Sequence, residues 1–293
     1  MNDSYSIEPR ANLSYELSPR STFGLGFGRH SQLQPLPVYF TQNRNATPEQ
    51  NAANRELDFV KSNHFVASWD FLPTKNSRIK LEAYHQSLTD VAVDPNEVGF
   101  SLANFGADFG FPNNVGLTND GTGTNSGFEI TIERFLNKGF YFLSTASIFD
   151  SKYEDAFGTE FNTFFNSNFV FNVLAGKEFN LTKKLALTLD AKFNYAGGRR
   201  FTPFDVEASI AAGEGIRDDN NIFGERYTPY IRPDIKIGIR HNAKKYSQIF
   251  FVDLQNFIGK QNVFFDQWDE ENNEVELQFQ RGFFPDVRYQ ILF

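Results

Sequence analysis

The amino-acid sequence predicts an all-β chain: a portion of an antiparallel transmembrane β-barrel of about 11 long strands, with short periplasmic turns and long extracellular loops. Three observations predict it. Apolar and polar residues alternate with period two over segments of about ten residues. Tight turns alternate with long polar segments along the chain. Phe alone supplies 35 of the 293 residues, although the mean hydropathy is polar at −0.43.

The strands justify this in order. "RANLSYEL" sets Ala11, Leu13, Tyr15 and Leu17 on one face and Arg10, Asn12, Ser14 and Glu16 on the other. In "GLGFGRH" (24–30), Gly24, Gly26 and Gly28 alternate with Phe23, Leu25 and Phe27. The glycines resemble a phosphate-binding loop only superficially, because no helical pattern follows; on a strand they leave room close to the wall. "NFVFNVLAGKEF" (168–179) opposes Phe169, Phe171, Val173 and Ala175 to Asn168, Asn172 and Glu178. "LALTLDAKFNY" (185–195) opposes Leu185, Leu187, Leu189, Ala191, Phe193 and Tyr195 to Ala186, Thr188, Asp190, Lys192 and Asn194. "IRPDIKIGIR" (231–240) opposes Ile231, Ile235, Ile237 and Ile239 to Arg232, Asp234, Lys236 and Arg240. The last strand, 286–293, has Val287, Tyr289, Ile291 and Phe293 on one face and Asp286, Arg288, Gln290 and Leu292 on the other.

Short turns fall at 17–21, 72–77, 136–139, 180–184 and 242–245, rich in the Pro, Asn, Gly and Lys of tight hairpins. Long polar segments fall roughly at 31–61, 92–125, 153–166, 198–227 and 259–283. Alternation of the two kinds puts every long loop at one end of the sheet. Hydrocarbon cannot hydrogen-bond the backbone, so a spanning sheet must close on itself. A pass needs only about 9–11 tilted residues, so bulk hydropathy stays low. Aromatic rings collect at the interfaces. The competing soluble β-sandwich normally has shorter strands, about 5–6 residues.

Composition excludes other classes. The net charge of −8 leaves no basic stripe for nucleic acid. Cysteine is absent, which removes disulfides and thiolate chemistry. There is no apolar run of 18 or more residues for a transmembrane helix. "MNDSYSIEPR" carries no secretory signal.

Four stretches carry a family resemblance: "NSGFEITIERFLNKGFYFLSTASIFDSKY" (125–153), "GGRRFTPFDVEASIAAGE" (197–214), "YIRPDIKIGIRHN" (230–242) and "FVDLQNFIGKQNV" (251–263). In this order, and followed by an aromatic-terminated strand, they resemble the C-terminal barrel of TonB-dependent outer-membrane receptors, most closely those of Bacteroidetes. The resemblance covers nearly the whole chain, 1–293. It implies energised uptake of a siderophore, haem, cobalamin or glycan-type ligand through a 22-stranded barrel filled by a plug. The sequence shows no plug domain, TonB box or signal peptide. The expectation is therefore a fragment, integral to the Gram-negative outer membrane and not competent to transport alone. The missing N-terminal barrel and plug segment would be its partner, and TonB would act only through that segment. Its other partners would be outer-membrane lipid, lipopolysaccharide and the barrel-assembly machinery.

The resemblance also assigns roles. Val287, Tyr289, Ile291 and Phe293 resemble the C-terminal signal read by that machinery, with Phe293 at the periplasmic interface. Arg10, Glu16, Glu82, Glu129, Glu133, Asp190, Lys192, Arg232, Asp234 and Arg240 are expected on the lumen side, facing the plug, one another or water.

No catalytic, cofactor or metal site emerges from the residues. His30, His64, His85 and His241 lack metal-ligand spacing. No Ser/His/Asp arrangement has a catalytic context. In "DQWDEENNEVE" (266–276), Asp266, Asp269, Glu270, Glu271, Glu274 and Glu276 surround an expected hairpin tip. They read first as a solvated loop tip, with a Ca²⁺ site as the alternative. "RDDNN" (217–221) has the same two readings. Two other functions compete with the receptor: a stand-alone channel or adhesin barrel, and an outer-membrane hydrolase using His64 or His85 as base.

Overall fold

The computed structural model describes residues 5–106 and 110–293; Met1–Ser4 of the N-terminal stretch and residues 107–109 of the second long segment lie outside it. Eleven strands form one consecutive antiparallel path. They are β1 (Arg10–Ser18), β2 (Ser21–Gln32), β3 (Val60–Thr74), β4 (Ser77–Val93), β5 (Thr118–Asn137), β6 (Phe140–Glu154), β7 (Phe169–Asn180), β8 (Leu185–Ala196), β9 (Tyr230–Asn242), β10 (Ser247–Gln255) and β11 (Phe284–Leu292). A three-residue strand, Glu160–Asn162, pairs with β6 and brings the sheet to twelve strands. The sheet is open: β1 and β11 are its edges, and both are exposed along their length.

Strands within a hairpin meet over two to four residues. At the β5–β6 turn, Lys138 and Gly139 both have positive φ, 51° and 74°, as a hairpin turn that follows the strand twist requires. The opposite ends are joined by residues 33–59, 94–117, 155–168, 197–229 and 256–283. The second of these is shorter than the expected 92–125, because β4 and β5 keep pairing through Leu88↔Gly123 and Val91↔Gly121 across two register shifts. The last strand starts at Phe284 rather than 286, since Leu254 and Gln255 of β10 still pair with Pro285 and Phe284.

Register separates two faces. Ser68, Glu82, Glu129 and Ser147 stand opposite one another across β3–β6. Gly176, Asp190, Lys236 and Asp253 do so across β7–β10. The other face carries Leu25, Ala67, Ala83 and Phe128 in one row, and Leu189, Ile237, Val252 and Val287 in another. On this apolar face Leu13 is 64%, Ile148 68% and Val287 60% exposed. A compact monomer of 33.5 kDa would expose about 12,700 Å². This chain exposes 17877 Å². Such a wall needs an apolar solvent or partner, because soluble monomers rarely bare apolar patches beyond a few hundred Å². Aromatics bracket the face. On β7, Phe169 (tilted against Tyr195, 5.1 Å) and Phe179 (under the Lys177 ammonium, 5.9 Å) lie ten residues apart. That is about 34 Å along the strand, or about 24–28 Å once tilted by 35–45°.

The long connections are not the featureless polar segments their composition suggests. They hold α1 (Leu36–Tyr39), α2 (Pro48–Ala53) and α3 (Val206–Ala212). Helices this short cannot display a 3.6-residue period, so only their caps are readable. Thr47 and Gln50 form a reciprocal capping box with Pro48 in the first turn. Asp205 caps the N–H of Ala208, and Gly213 ends α3 at φ 72°. Val38, Tyr39, Leu57, Ala92, Leu102 and Leu117 form the buried apolar cluster of the chain, with Phe100 against it. Among the described residues, this cluster therefore sits in the loops and at the end of β4 that runs into them, and not along the middle of the sheet.

Candidate functional site

The polar face leads upward into this loop cap. Of the ten charged residues expected on the lumen side, the register sets all on the polar face. Several are held by neighbours on that face. Arg232 donates to Asp234 at 2.9 Å and to Gln255 at 2.7 Å. Arg240 donates to Glu178 at 2.9 Å. Asp190 accepts from Tyr141 at 2.7 Å and lies 3.7 Å from the Lys236 ammonium. Lys80 pairs with Glu82 at 2.6 Å, Arg10 with Glu8 at 3.0 Å, and Glu129 accepts from Ser147 at 3.0 Å. Glu16, Glu133 and Lys192 form no ion pair among the described residues. Sequence reasoning set the pairing partners Glu178 and Lys236 on the polar faces of their strands without counting them among these ten.

A hydrogen-bonded chain of neutral side chains crosses the same face. Thr163 donates to Ser151 (2.8 Å), Ser151 to Asn125 (2.5 Å), Asn125 to Gln86 (2.9 Å), and Gln86 to Ser62 (2.8 Å). It ties β3, β4, β5 and β6 to the third long connection. The glycines of β2 face this side too, but neighbours use their space: a Cβ on Gly24 would lie 2.6 Å from Ser68 Oγ, and one on Gly28 2.9 Å from His30 Nε2.

Each long connection is pinned to the next. Asn54, fully buried, donates to the carbonyls of Val38 and Asn114 and accepts from the N–H of Leu117, joining the first connection to the second. Asp155, 2% exposed, accepts from the N–H groups of Gly99, Phe157 and Thr159, joining the second to the third. The carbonyl of Phe164 accepts from the N–H of Arg200, joining the third to the fourth. Between the fourth and fifth, Arg217 grips Asp266 with both guanidinium nitrogens at 2.7 and 3.2 Å, and Tyr227 donates to the same carboxylate at 2.5 Å. The Asp266 side chain is only 4% exposed. This corrects its place among the six carboxylates of the expected hairpin tip: the tip is there, between strands Val263–Asp269 and Glu274–Phe279, but Asp266 points away from it into the cap. Burial and the bond to Asp266 push the Tyr227 hydroxyl well above the usual tyrosine range. At the tip itself, the Asn272 side chain and N–H hold the Asp269 carboxyl below its usual value.

A cavity of about 430 Å³ opens between the third, fourth and fifth connections. Phe164, Phe201, Phe223, Tyr227 and Phe264 line it together with Arg199 and the paired Arg217 and Asp266. Phe201 and Tyr227 stack at 4.2 Å. The Arg199 guanidinium lies 5.1 Å from the Phe164 ring centre and 5.8 Å from that of Phe264, and donates to the Phe264 carbonyl. Desolvation pulls its pKa below the usual arginine value. Sequence reasoning assigned this cup no role, although "GGRRF" offered a signal: adjacent arginines beside an aromatic in a long loop.

The remaining candidates gather into no site. No cluster of three metal-ligating side chains occurs among the described residues. His64 lies on the polar face, edge-on to Tyr84. His85 lies on the apolar face with Nδ1 2.8 Å from Ser126 Oγ. Ser126 stands between His85 and Asp150 in the register, so that carboxylate does not orient the imidazole. The backbone N–H groups around this pair belong to the ladder, which leaves no oxyanion hole of the usual kind. No helix among the described residues is long and apolar enough to cross a membrane.

The chain's architecture is similar to that of solved outer-membrane receptors. The ferric-catecholate import receptor Fiu of E. coli K12 matches 97% of this chain with 34% of its own length, at TM-score 0.59 and 11% identity. The ferric preacinetobactin receptor BauA of Acinetobacter baumannii matches 97% of this chain with 36% of its own, at TM-score 0.60 and 11% identity. The FrpB iron transporter of Neisseria meningitidis matches 98% of this chain with 39% of its own, at TM-score 0.57 and 10% identity. The chain thus spans roughly a third of the length of these proteins. At such identities the likeness establishes the fold alone. No protein-family model and no curated protein sequence matches the chain.

Proposed function

We propose that this chain forms part of the barrel wall of an outer-membrane receptor of the TonB-dependent type, with the cap as its extracellular ligand-capture end. The observation that carries this is the two-faced wall whose long connections all lie at one end and are bonded into a single cap. On this reading the apolar face meets lipid and the polar face meets a water-filled or plugged lumen. The raw edges of β1 and β11 favour completion of the ring by further polypeptide. Similarity to about a third of each solved receptor supports the same arrangement. Energised import would need that additional segment, a plug and TonB. The chain acts in transport and not as an enzyme. A stand-alone channel or adhesin would need β1 to pair with β11, which the sheet order does not favour.

The last strand fits a role in assembly. Val287, Tyr289 and Ile291 lie in register with Val252, Phe250 and Gln248 on the apolar face, and Phe293 is 99% exposed. Deleting Phe293 is expected to impair membrane insertion more than stability in detergent; equal loss of both contradicts that role. For the receptor reading itself, the chain is directed to the periplasm of a Gram-negative host. It is expected in the outer-membrane fraction, resistant to alkaline extraction. Recovery as soluble periplasmic protein contradicts the reading.

A further inference from the structure

Charge is divided unevenly between the two ends of the wall. The five hairpin turns, 19–20, 75–76, 138–139, 181–184 and 243–246, hold fourteen residues, and seven of these are Lys or Arg. No turn residue is Asp or Glu. Arg20, Lys75 and Lys138 stand one to a turn, and the last two turns carry the pairs Lys183-Lys184 and Lys244-Lys245. All seven are exposed, and none forms an ion pair among the described residues. The five long connections at the other end hold twenty carboxylates against eight cations. Turn geometry does not ask for this division, because Asp and Asn suit tight turns by their own hydrogen bonds. Each turn also bares a large apolar side chain within three residues of its cation: Leu17, Leu72, Leu136, Leu181 and Tyr246 are all exposed. An apolar body beside a cationic head is the arrangement that settles at a lipid surface, the one in the acyl boundary and the other at the phosphates. Aromatic rings mark the same level, with Phe140 5.5 Å from the Arg134 guanidinium and Phe179 5.9 Å from the Lys177 ammonium.

We infer that the turn end of the wall is a docking rim for anionic phospholipid headgroups, the turn cations taking the phosphates and their apolar neighbours entering the acyl boundary. Neighbouring turns lie two strands apart, about 10 Å, which is about one Debye length at 0.1 M salt, so their charges act together. The cations are strung along the rim and not gathered in one pocket, which fits an extended surface better than a single soluble anion. An anionic leaflet attracts basic residues held within a Debye length of it. The same surface repels the acidic cap, so the charge division also sets which end of the chain meets it. The inference rests on the membrane-spanning wall of the receptor reading and goes beyond it, since neither a transported ligand nor uptake enters.

The test uses the full chain refolded into phosphatidylcholine vesicles that carry a trace of nitroxide-labelled phosphatidylglycerol or nitroxide-labelled phosphatidylcholine. Electron paramagnetic resonance reads how much of each label is held motionally restricted by the protein. The wild-type chain is expected to hold phosphatidylglycerol about fivefold more tightly than phosphatidylcholine, the scale of one basic residue at an anionic surface. Neutralising four of the seven turn cations, with Lys183→Gln, Lys184→Gln, Lys244→Gln and Lys245→Gln together, should bring the two lipids within about twofold. Arg44→Gln with Lys260→Gln, in the cap, should keep the wild-type preference. An inserted wild-type chain that holds both lipids equally overturns the inference, as does a preference undiminished by the four turn substitutions. The wild-type comparison needs no variant to fold. A chain that stays out of the vesicles sinks the receptor reading and this inference with it, whereas equal association by an inserted chain sinks this inference alone.

Discussion

Midway along β9, Ile237 lies between Leu189 and Val252 on a face that nothing in the chain covers, and it is 43% exposed. In the first long connection Val38 is 1% and Asn54 0% exposed. In a soluble β protein the sheet packs the core and the loops stay wet. Here the cap holds the buried cluster, and the sheet bares its apolar side chains. The difference teaches that the two regions answer to different solvents. The cap folds against itself as a water-soluble domain does, by burying apolar groups and satisfying buried polar ones. The wall is stable only where the medium accepts Leu, Ile and Phe without cost.

Five tests break or sharpen this contrast. The largest effect is expected from Asp266→Ala, which strands Arg217 and Tyr227 in the cap. The buried carboxylate serves two partners, the half-exposed Arg217 guanidinium and the Tyr227 hydroxyl, and losing each hydrogen bond costs about 1–3 kcal/mol. Proteolytic cutting within 197–229 and 256–283 should rise sharply while wall amides keep their hydrogen-exchange protection. Simultaneous loss of protection in the wall would mean that the two regions are one cooperative unit.

Next comes Ile237→Arg, in the middle of the apolar face. An arginine facing lipid near the bilayer midplane costs about 2–4 kcal/mol. Membrane incorporation should fall, while Thr188→Arg, on the opposite face, should incorporate normally. Similar behaviour of the two variants would show that the faces are equivalent.

Asn54→Ala removes the buried junction of the first two connections and leaves the Val38 and Asn114 carbonyls and the Leu117 N–H without their partner. The expected loss is about 1–3 kcal/mol in the urea midpoint of cap opening, with no change in wall insertion.

The contrast was only half legible in the sequence. The wall was readable because each strand repeats one local rule: Ile235, Ile237 and Ile239 against Lys236 and Arg240 announce a two-faced strand without reference to any partner. The turns were readable for the same reason, as Lys138-Gly139 needs nothing beyond its own backbone. The cap is made by contacts that leave no period. Arg217 meets Asp266 across 49 residues, and Asn54 meets Leu117 across 63. The acidic run around 266–276 looked uniform, yet one of its carboxylates is buried and the rest face out. Arg199 stands out only once distant segments bring Phe164 and Phe264 beside it.

Raising the pH gives a smaller effect on the cap alone. Burial raises the pKa of both Tyr39 and Tyr227 above the usual tyrosine value of 10.0, and the bond to Asp266 adds to it for Tyr227. Below that value the hydroxyls are neutral in both folded and opened cap, so stability is flat. Above it the opened cap loses protons that the folded cap keeps, and stability falls as pH rises. The urea midpoint of cap opening should therefore hold to about pH 9.5 and drop beyond it, and Tyr227→Phe should remove much of the drop.

The smallest effect is expected from Ile237→Ala, which leaves no cavity because no protein atoms close over that face; its loss in detergent should stay below about 1 kcal/mol. A loss of 2–5 kcal/mol, as in a packed core, would place Ile237 against protein and contradict the lipid-facing wall.

The central claim is the two-faced wall, and the absence of native cysteine makes it directly measurable. Single cysteines are placed in turn at Ile235, Lys236, Ile237, Gly238, Ile239 and Arg240, spin-labelled in the membrane-inserted chain, and read by electron paramagnetic resonance for collision with dissolved oxygen and with a water-soluble nickel chelate. Oxygen accessibility is expected to peak at positions 235, 237 and 239 and chelate accessibility at 236, 238 and 240. Equal accessibility along the strand, or a profile without period two, would contradict the account.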